Sequence, residues 1–251
     1  MRDNTMIFQP SRHGGDVHFI TRSREKTGDL YDFSANSNPL GPPSWLRRTI
    51  SHSLSDLVHY PDPYCFALTQ AIAKEKSLPQ SSIIAANGTS ELLYLLPQVL
   101  DIRRAVIPVP SYIDYARAMM IHGVEVVPFF LAESDGFMLN LAALQECLQP
   151  GDAVVLATPN NPTATMVDAQ SLVQIARECQ KVTFIVDEAF LQFVPDGVSV
   201  AGREANIISL HSMTKFFAIP GLRLGYGVFP EKVAEKVREI MVPWSVKCNF
   251  L

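Results

Sequence analysis

Short apolar runs alternate with amphipathic stretches along most of this chain, and no other property restricts its fold as much. Apolar segments at 82–86, 104–109, 124–131, 153–157, 182–186, 206–210 and 222–229 read as strands. Helical patterns at 90–100, 113–122, 139–147, 168–180 and 230–241 separate them. The clearest helix is 168–180, with Leu172, Ile175, Ala176 and Cys179 at i, i+3, i+4 and i+7. Such alternation predicts an α/β chain in three layers, with a mostly parallel sheet covered by helices on both faces. Upstream, a helix starts at Pro43 or Ser44, since proline suits a first turn. Another over 65–76 places Leu68, Ala71 and Ile72 on one face. Residues 1–42, rich in Gly, Pro, Ser and Asn, read as an irregular arm ahead of one large domain over 43–251.

The 251 residues are 47% apolar, enough for a sizeable core. Net charge is −4 with no basic block, which argues against nucleic acid as the main partner. The longest apolar patches, such as 91–100 and 124–131, are too short to cross a bilayer, and the first residues lack a signal-peptide core. A soluble, cytoplasmic protein is expected. Cys65, Cys147, Cys179 and Cys248 have the spacing of neither a metal site nor a disulfide framework. They are expected to be small buried thiols, and no metal is expected.

In a parallel sheet, ligands gather at the carboxyl ends of the strands, and polar residues cluster at those ends here. Lys215 is the only base between His211 and Arg223 in an otherwise apolar run. Burial favours the neutral amine, which condenses with carbonyls such as that of pyridoxal phosphate. Asn87-Gly88-Thr89-Ser90 joins a strand to a helix, the geometry of an anion site and equally of an ordinary N-cap. Asp187 ends an apolar strand, where a carboxylate either holds a protonated pyridine nitrogen or caps the next turn. Thr158-Pro159-Asn160-Asn161-Pro162-Thr163 places the Asn161 amide at another strand end, as does any Pro/Asn turn. Tyr112 follows a strand and either stacks on a flat ring or fills core. His59-Tyr60-Pro61-Asp62-Pro63-Tyr64 is a rigid aromatic turn.

With these segments the chain, from about 13 to 244, resembles the fold-type I pyridoxal-phosphate (PLP) enzymes of the class I and II aminotransferase superfamily. The resemblance implies that Lys215 carries the cofactor and that Asp187 pairs with its ring nitrogen. It implies that Asn161 bonds the ring oxygen. It further implies that Gly88, Thr89, Ser90, Ser212 and Arg223 bind its phosphate. Tyr60 is implied to reach the phosphate of a partner subunit in a homodimer. Within the superfamily, His13-Gly14-Gly15, the run from Asp32 to Pro43 and the run from Thr214 to Tyr226 are similar to the threonine-phosphate decarboxylases. Phe190 stands where related histidinol-phosphate aminotransferases usually carry tyrosine. By that resemblance His13, Gly14, Asn36 and Asn161 contact a phosphorylated amino-acid substrate, and the arm over 1–42 serves as a lid.

Ala164 replaces a usual glycine, a minor change if its backbone dihedrals are ordinary. Relatives continue into a small C-terminal domain, so this chain resembles a truncated one. The expected activity is decarboxylation of L-threonine O-3-phosphate for cobalamin biosynthesis. Its rivals are an aminotransferase of histidinol-phosphate type and a PLP-binding chain without turnover.

Overall fold

Runs of residues with no exposed side chain form the centre of the molecule, because strands covered on both faces must be apolar throughout. The computed structural model describes residues 14–23 and 31–246. Its strands are β1 (Ile83–Ala86), β2 (Arg104–Val109), β3 (Glu125–Phe130), β4 (Ala153–Ala157), β5 (Thr183–Asp187), β6 (Ile207–Ser212) and β7 (Gly225–Val228). They make one seven-stranded sheet in the order β1-β7-β6-β5-β4-β2-β3. The β3-β2-β4-β5-β6 ladder is parallel throughout. Only β7 runs against both its neighbours, β6 and β1. The expected three-layer, mostly parallel architecture is therefore present, with one reversed strand.

The helices are α1 (Val17–Ser23), α2 (Ser44–Ser53), α3 (Phe66–Lys76), α4 (Thr89–Val99), α5 (Asp114–Met120), α6 (Leu141–Cys147), α7 (Ala169–Glu178), α8 (Met213–Phe216) and α9 (Glu231–Ile240). Alternate strand residues face opposite layers. Val155, Ile185, Ile208 and Leu210 pack with Leu92, Tyr115, Met119 and Val237 of α4, α5 and α9. Val154, Leu156, Phe184, Val186 and Ile207 pack with Leu144 and Leu172 of α6 and α7. The side chains of Asn140 and Asp168 cap α6 and α7 by accepting from the N–H groups of Ala143 and Ser171.

Several expectations shift. The 1–42 arm is not wholly irregular, since it contains α1. The buried face of α3 is Thr69, Ile72 and Ala73, while Ala71 is exposed. Thr69 can turn inward because its hydroxyl reaches the Cys65 and Phe66 carbonyls and accepts from Gln80 Nε2. The last strand starts at Gly225, not residue 222, because Pro220–Leu222 is a 3-10 turn and Arg223 has φ 52°. Cysteine usage also differs from the expected four buried thiols. Cys65 is disulfide-bonded, and of the free thiols Cys147 is exposed and Cys179 half-buried. Cys248 lies outside the described residues. Among the described residues no helix is long and apolar enough to cross a membrane.

Candidate active site

The polar strand ends converge because the parallel strands all finish on one edge of the sheet, and β7 begins there. Register makes the convergence tight: Gly225 lies opposite Ala86 of β1 on one side and opposite Ser212 of β6 on the other. A cleft of about 600 Å³ opens at this edge, within the range typical of small-molecule sites. Gly88, Thr89, Ser90, Ser212 and Arg223 line one part of it, and Tyr112, Asn161, Asp187, Phe190 and Lys215 another. Gly14 and Asn36 of the arm, both exposed, line its mouth. Every site residue expected from the sequence is therefore brought together except two. Tyr60 is 80% exposed, stands apart from this cleft and packs on Trp244 with ring centroids 4.9 Å apart. His13 lies outside the described residues.

Each part of the wall has a local cause. Strand parity turns Asp187 toward the α5 layer, together with Ile185. There the phenol of Tyr115 donates to Asp187 Oδ2 at 2.7 Å, and the Ala189 N–H donates to Oδ1 at 2.9 Å. Burial pushes the Asp187 carboxyl above its ordinary value, opposed by these two bonds and by Lys215. Burial pulls the Lys215 amine below its ordinary value, the Arg223 charge adds to that, and Asp187 opposes it. Tyr112 donates to Asp114 at 2.9 Å, and burial followed by that carboxylate raises its phenol well above the usual range. Asn160, not Asn161, holds the proline turn, donating to the Pro110 carbonyl at 3.0 Å and to Thr163 at 2.8 Å. The Asn161 side chain has no protein partner among the described residues and lines the cleft.

Two glycines set the spacing of the opposite wall. Gly88 has φ +77°, and a Cβ there would stand 2.6 Å from Arg223 Nη2. The guanidinium thus lies directly over the turn that opens α4. A Cβ on Gly225 would come within 2.8 Å of the Thr89 nitrogen, so β7 approaches α4 only as glycine. Ser212 caps α8, its Oγ 2.8 Å from Thr214 Oγ1. Beside it Lys215 sits half-buried.

Sequence reasoning missed Tyr115. The spacing of two tyrosines at 112 and 115 at the start of a helix was visible, but its pairing with a carboxylate 72 positions away was not. It missed also a buried pair behind the site. Opposite parity sends Glu188 and His211 to the far side of Asp187 and Ser212, with His211 Nε2 3.5 Å from Glu188 Oε2. Ser199 and the Val200 N–H donate to Glu188, Ser209 Oγ lies 2.9 Å from His211 Nε2, and the imidazole stacks on Tyr226 at 4.6 Å. Burial raises Glu188 to about 7 and lowers His211 to about 3.

A doubly covered sheet with a lysine, a buried carboxylate and an arginine-lined helix start at one edge defines a PLP-dependent enzyme of the aminotransferase and decarboxylase type. Residues 28–251 match the family "Aminotransferase class I and II", and the chain belongs to it. Its members named here use pyridoxal phosphate. The chain is 38% identical over 243 residues to a threonine-phosphate decarboxylase of Salmonella typhimurium, covering 94% of this chain and 67% of the relative. Among solved structures, the histidinol-phosphate aminotransferase of Clostridium acetobutylicum superposes with a TM-score of 0.80 at 30% identity, over 88% of this chain and 67% of that one. The L-threonine-O-3-phosphate decarboxylase of Porphyromonas gingivalis has the same fold, with a TM-score of 0.75 at 24% identity over 87% of this chain and 66% of that one. The chain thus spans about two thirds of the length of the relatives it matches.

Proposed function

We propose that this protein acts as a PLP-dependent carboxy-lyase on L-threonine O-3-phosphate, forming the aminopropanol phosphate used in cobalamin biosynthesis. The observation that carries the reading is the meeting of Lys215, Asp187 and the Gly88–Arg223 contact in one cleft. The choice of substrate is supported by the 38% identity to a threonine-phosphate decarboxylase and by Phe190 in the Asp187–Phe190 segment.

The residues fit the cofactor in charge and in space. The room left by the missing Cβ of Gly88 puts Arg223 where a phosphate on Thr89, Ser90 and Ser212 would meet it. Asp187, carboxylate oxygens anchored on one side by Tyr115 and Ala189, would hold the ring nitrogen proton. Asn161 would donate to the ring oxygen, and Tyr112 would cover a ring face. When bound, pyridoxal phosphate supplies an aldehyde for the amine and a ring that takes up the electron pair of a bond broken at the substrate α-carbon. Lys215, its amine lowered from the ordinary value by burial and by Arg223, is suited to condense with that aldehyde and afterwards to move a proton to the α-carbon. Gly14 and Asn36, with His13 beside them in the chain, would receive the substrate phosphate at the mouth. Residues 1–42 would then act as the lid over the 43–251 domain, and Tyr60 would serve the site of a second copy in a homodimer.

The aminotransferase reading has its own support in the 0.80 superposition on a histidinol-phosphate aminotransferase. Carboxyl-labelled O-phospho-L-threonine separates the two. Release of the label as carbon dioxide, abolished in Lys215→Ala, is the expected result. A keto product with the label retained assigns the chain to amino transfer. A cofactor absorbance that depends on Lys215 without any product assigns it to binding alone.

A further inference from the structure

The helix that carries Lys215 is a single turn of four residues, Met213–Phe216, far too short to be stable by itself. Its terminal carbonyls also need partners. Part of that need is met locally, by Phe217 N–H on Met213 at 3.4 Å, Ile219 N–H on Thr214 at 3.1 Å and Ala218 N–H on Lys215 at 3.3 Å. The shorter bonds come from the other end of the chain. The Asn38 backbone N–H donates to the Lys215 carbonyl at 3.0 Å. Its side-chain Nδ2 donates to the Phe216 carbonyl at 2.9 Å. Asn38 is itself held, because its Oδ1 accepts from Leu40 N–H at 3.0 Å and its carbonyl from Gly41 N–H at 3.2 Å.

The segment bearing Asn38 continues to the mouth of the cleft. Asn36, Ala35 and Ser34 line it two to four residues upstream. Gly14 packs so closely there that a Cβ would sit 1.8 Å from the Ser34 carbonyl oxygen, and Gly15 N–H donates to Ser34 Oγ at 2.7 Å. One continuous set of contacts thus joins the arm at the cleft mouth to the backbone of the lysine.

From this we propose that Asn38 is a positioning residue for Lys215: the arm caps the lysine's own helix and so fixes where its amine points. The inference rests on the reading of Lys215 as the cofactor-bearing residue. Two variants divide the roles of the amide. Asn38→Ala removes donor and acceptor together. Asn38→Asp keeps the acceptor for Leu40 and thus the local turn, but sets an oxygen against the Phe216 carbonyl.

The first measurement is the pH titration of the lysine-dependent absorbance in the holoenzyme. Both variants are expected to shift its midpoint by about half a unit or more and to lower kcat about tenfold, as loss of one hydrogen bond to an active group predicts. A purely local structural role would leave Asn38→Asp like the wild type, and that result would overturn the proposal. The second measurement needs no cofactor. Hydrogen exchange in the peptide 213–219 of the apoprotein is expected to quicken in Asn38→Asp while exchange in β4 stays unchanged. Unaltered exchange there refutes the clamp. If Lys215→Ala retains the absorbance, the cofactor assignment fails, while the exchange result still decides the clamp.

Discussion

Tyr115, 2% exposed in α5, donates a 2.7 Å hydrogen bond to the carboxylate of Asp187 at the tip of β5. The bond acts against burial, which raises the Asp187 carboxyl. Tyr115→Phe leaves Oδ2 without that donor, a loss of about 1.5–3 kcal/mol for a charged acceptor. Asp187 then moves further up. A carboxylate raised in the fold contributes stability below its unfolded value and loses it as pH rises through the folded one. Urea unfolding of Tyr115→Phe is expected to show about 2 kcal/mol lower stability at neutral pH and a smaller deficit in acid.

Glu188 and His211 should cancel in the wild type and reveal themselves singly. Glu188, raised from 4.5 to about 7, gives stability that is lost as pH climbs through that window. His211, lowered from 6.5 to about 3, gives stability that is lost as pH falls through its own window. Between 4.5 and 6.5 the two slopes oppose each other. Lys76 and Asp187 also bear on Glu188, and Lys76 on His211, but they stay unchanged in either variant. Relative to wild type, His211→Gln is expected to lose about 1.4 kcal/mol per pH unit on going from 4.5 to 6.5, and Glu188→Gln to gain as much. Parallel stability profiles for all three proteins would contradict this.

Gly88→Ala tests the anion wall. The new methyl would stand 2.6 Å from Arg223 Nη2 on a backbone at φ +77°. The guanidinium must move away, and the charge-assisted bond proposed between it and the cofactor phosphate, worth about 1.5–3 kcal/mol, would be lost. Pyridoxal phosphate affinity, followed by fluorescence titration, is expected to fall by about tenfold or more.

Ala164 adopts φ 58°, so its dihedrals are not ordinary and the substitution of a usual glycine is not minor. A left-handed alanine costs about 1–2 kcal/mol, which glycine relieves while adding some unfolded-state entropy. Ala164→Gly is expected to stabilise the chain by up to about 1 kcal/mol, or roughly 2–4 °C in Tm.

The strands were legible because their burial leaves only apolar residues, and β4 falls at 153–157 as its sequence predicts. The gathering of the polar strand-end residues in one cleft was legible for a related reason: sheet topology converts position along a strand into position in space. Features that depend on side-chain pairing across long separations were not. Tyr115 meets Asp187 only through parity and register, and Asn38 meets Phe216 across 178 positions. Local reading also failed where a polar residue is buried with its partners. Thr69 joined Ile72 on the inner face of α3, where Leu68 also packs, while Ala71 turned out to solvent, because Gln80 reaches the threonine.

β7 runs against both β6 and β1. Lysine and arginine enter the cleft from the two arms of one loop, with Ser212 facing Gly225 at its base. A slip of that ladder by a single step would invert the face on which each side chain emerges. The rung between Ser212 and Gly225 thus works as the alignment gauge for the side chains that line this edge of the sheet.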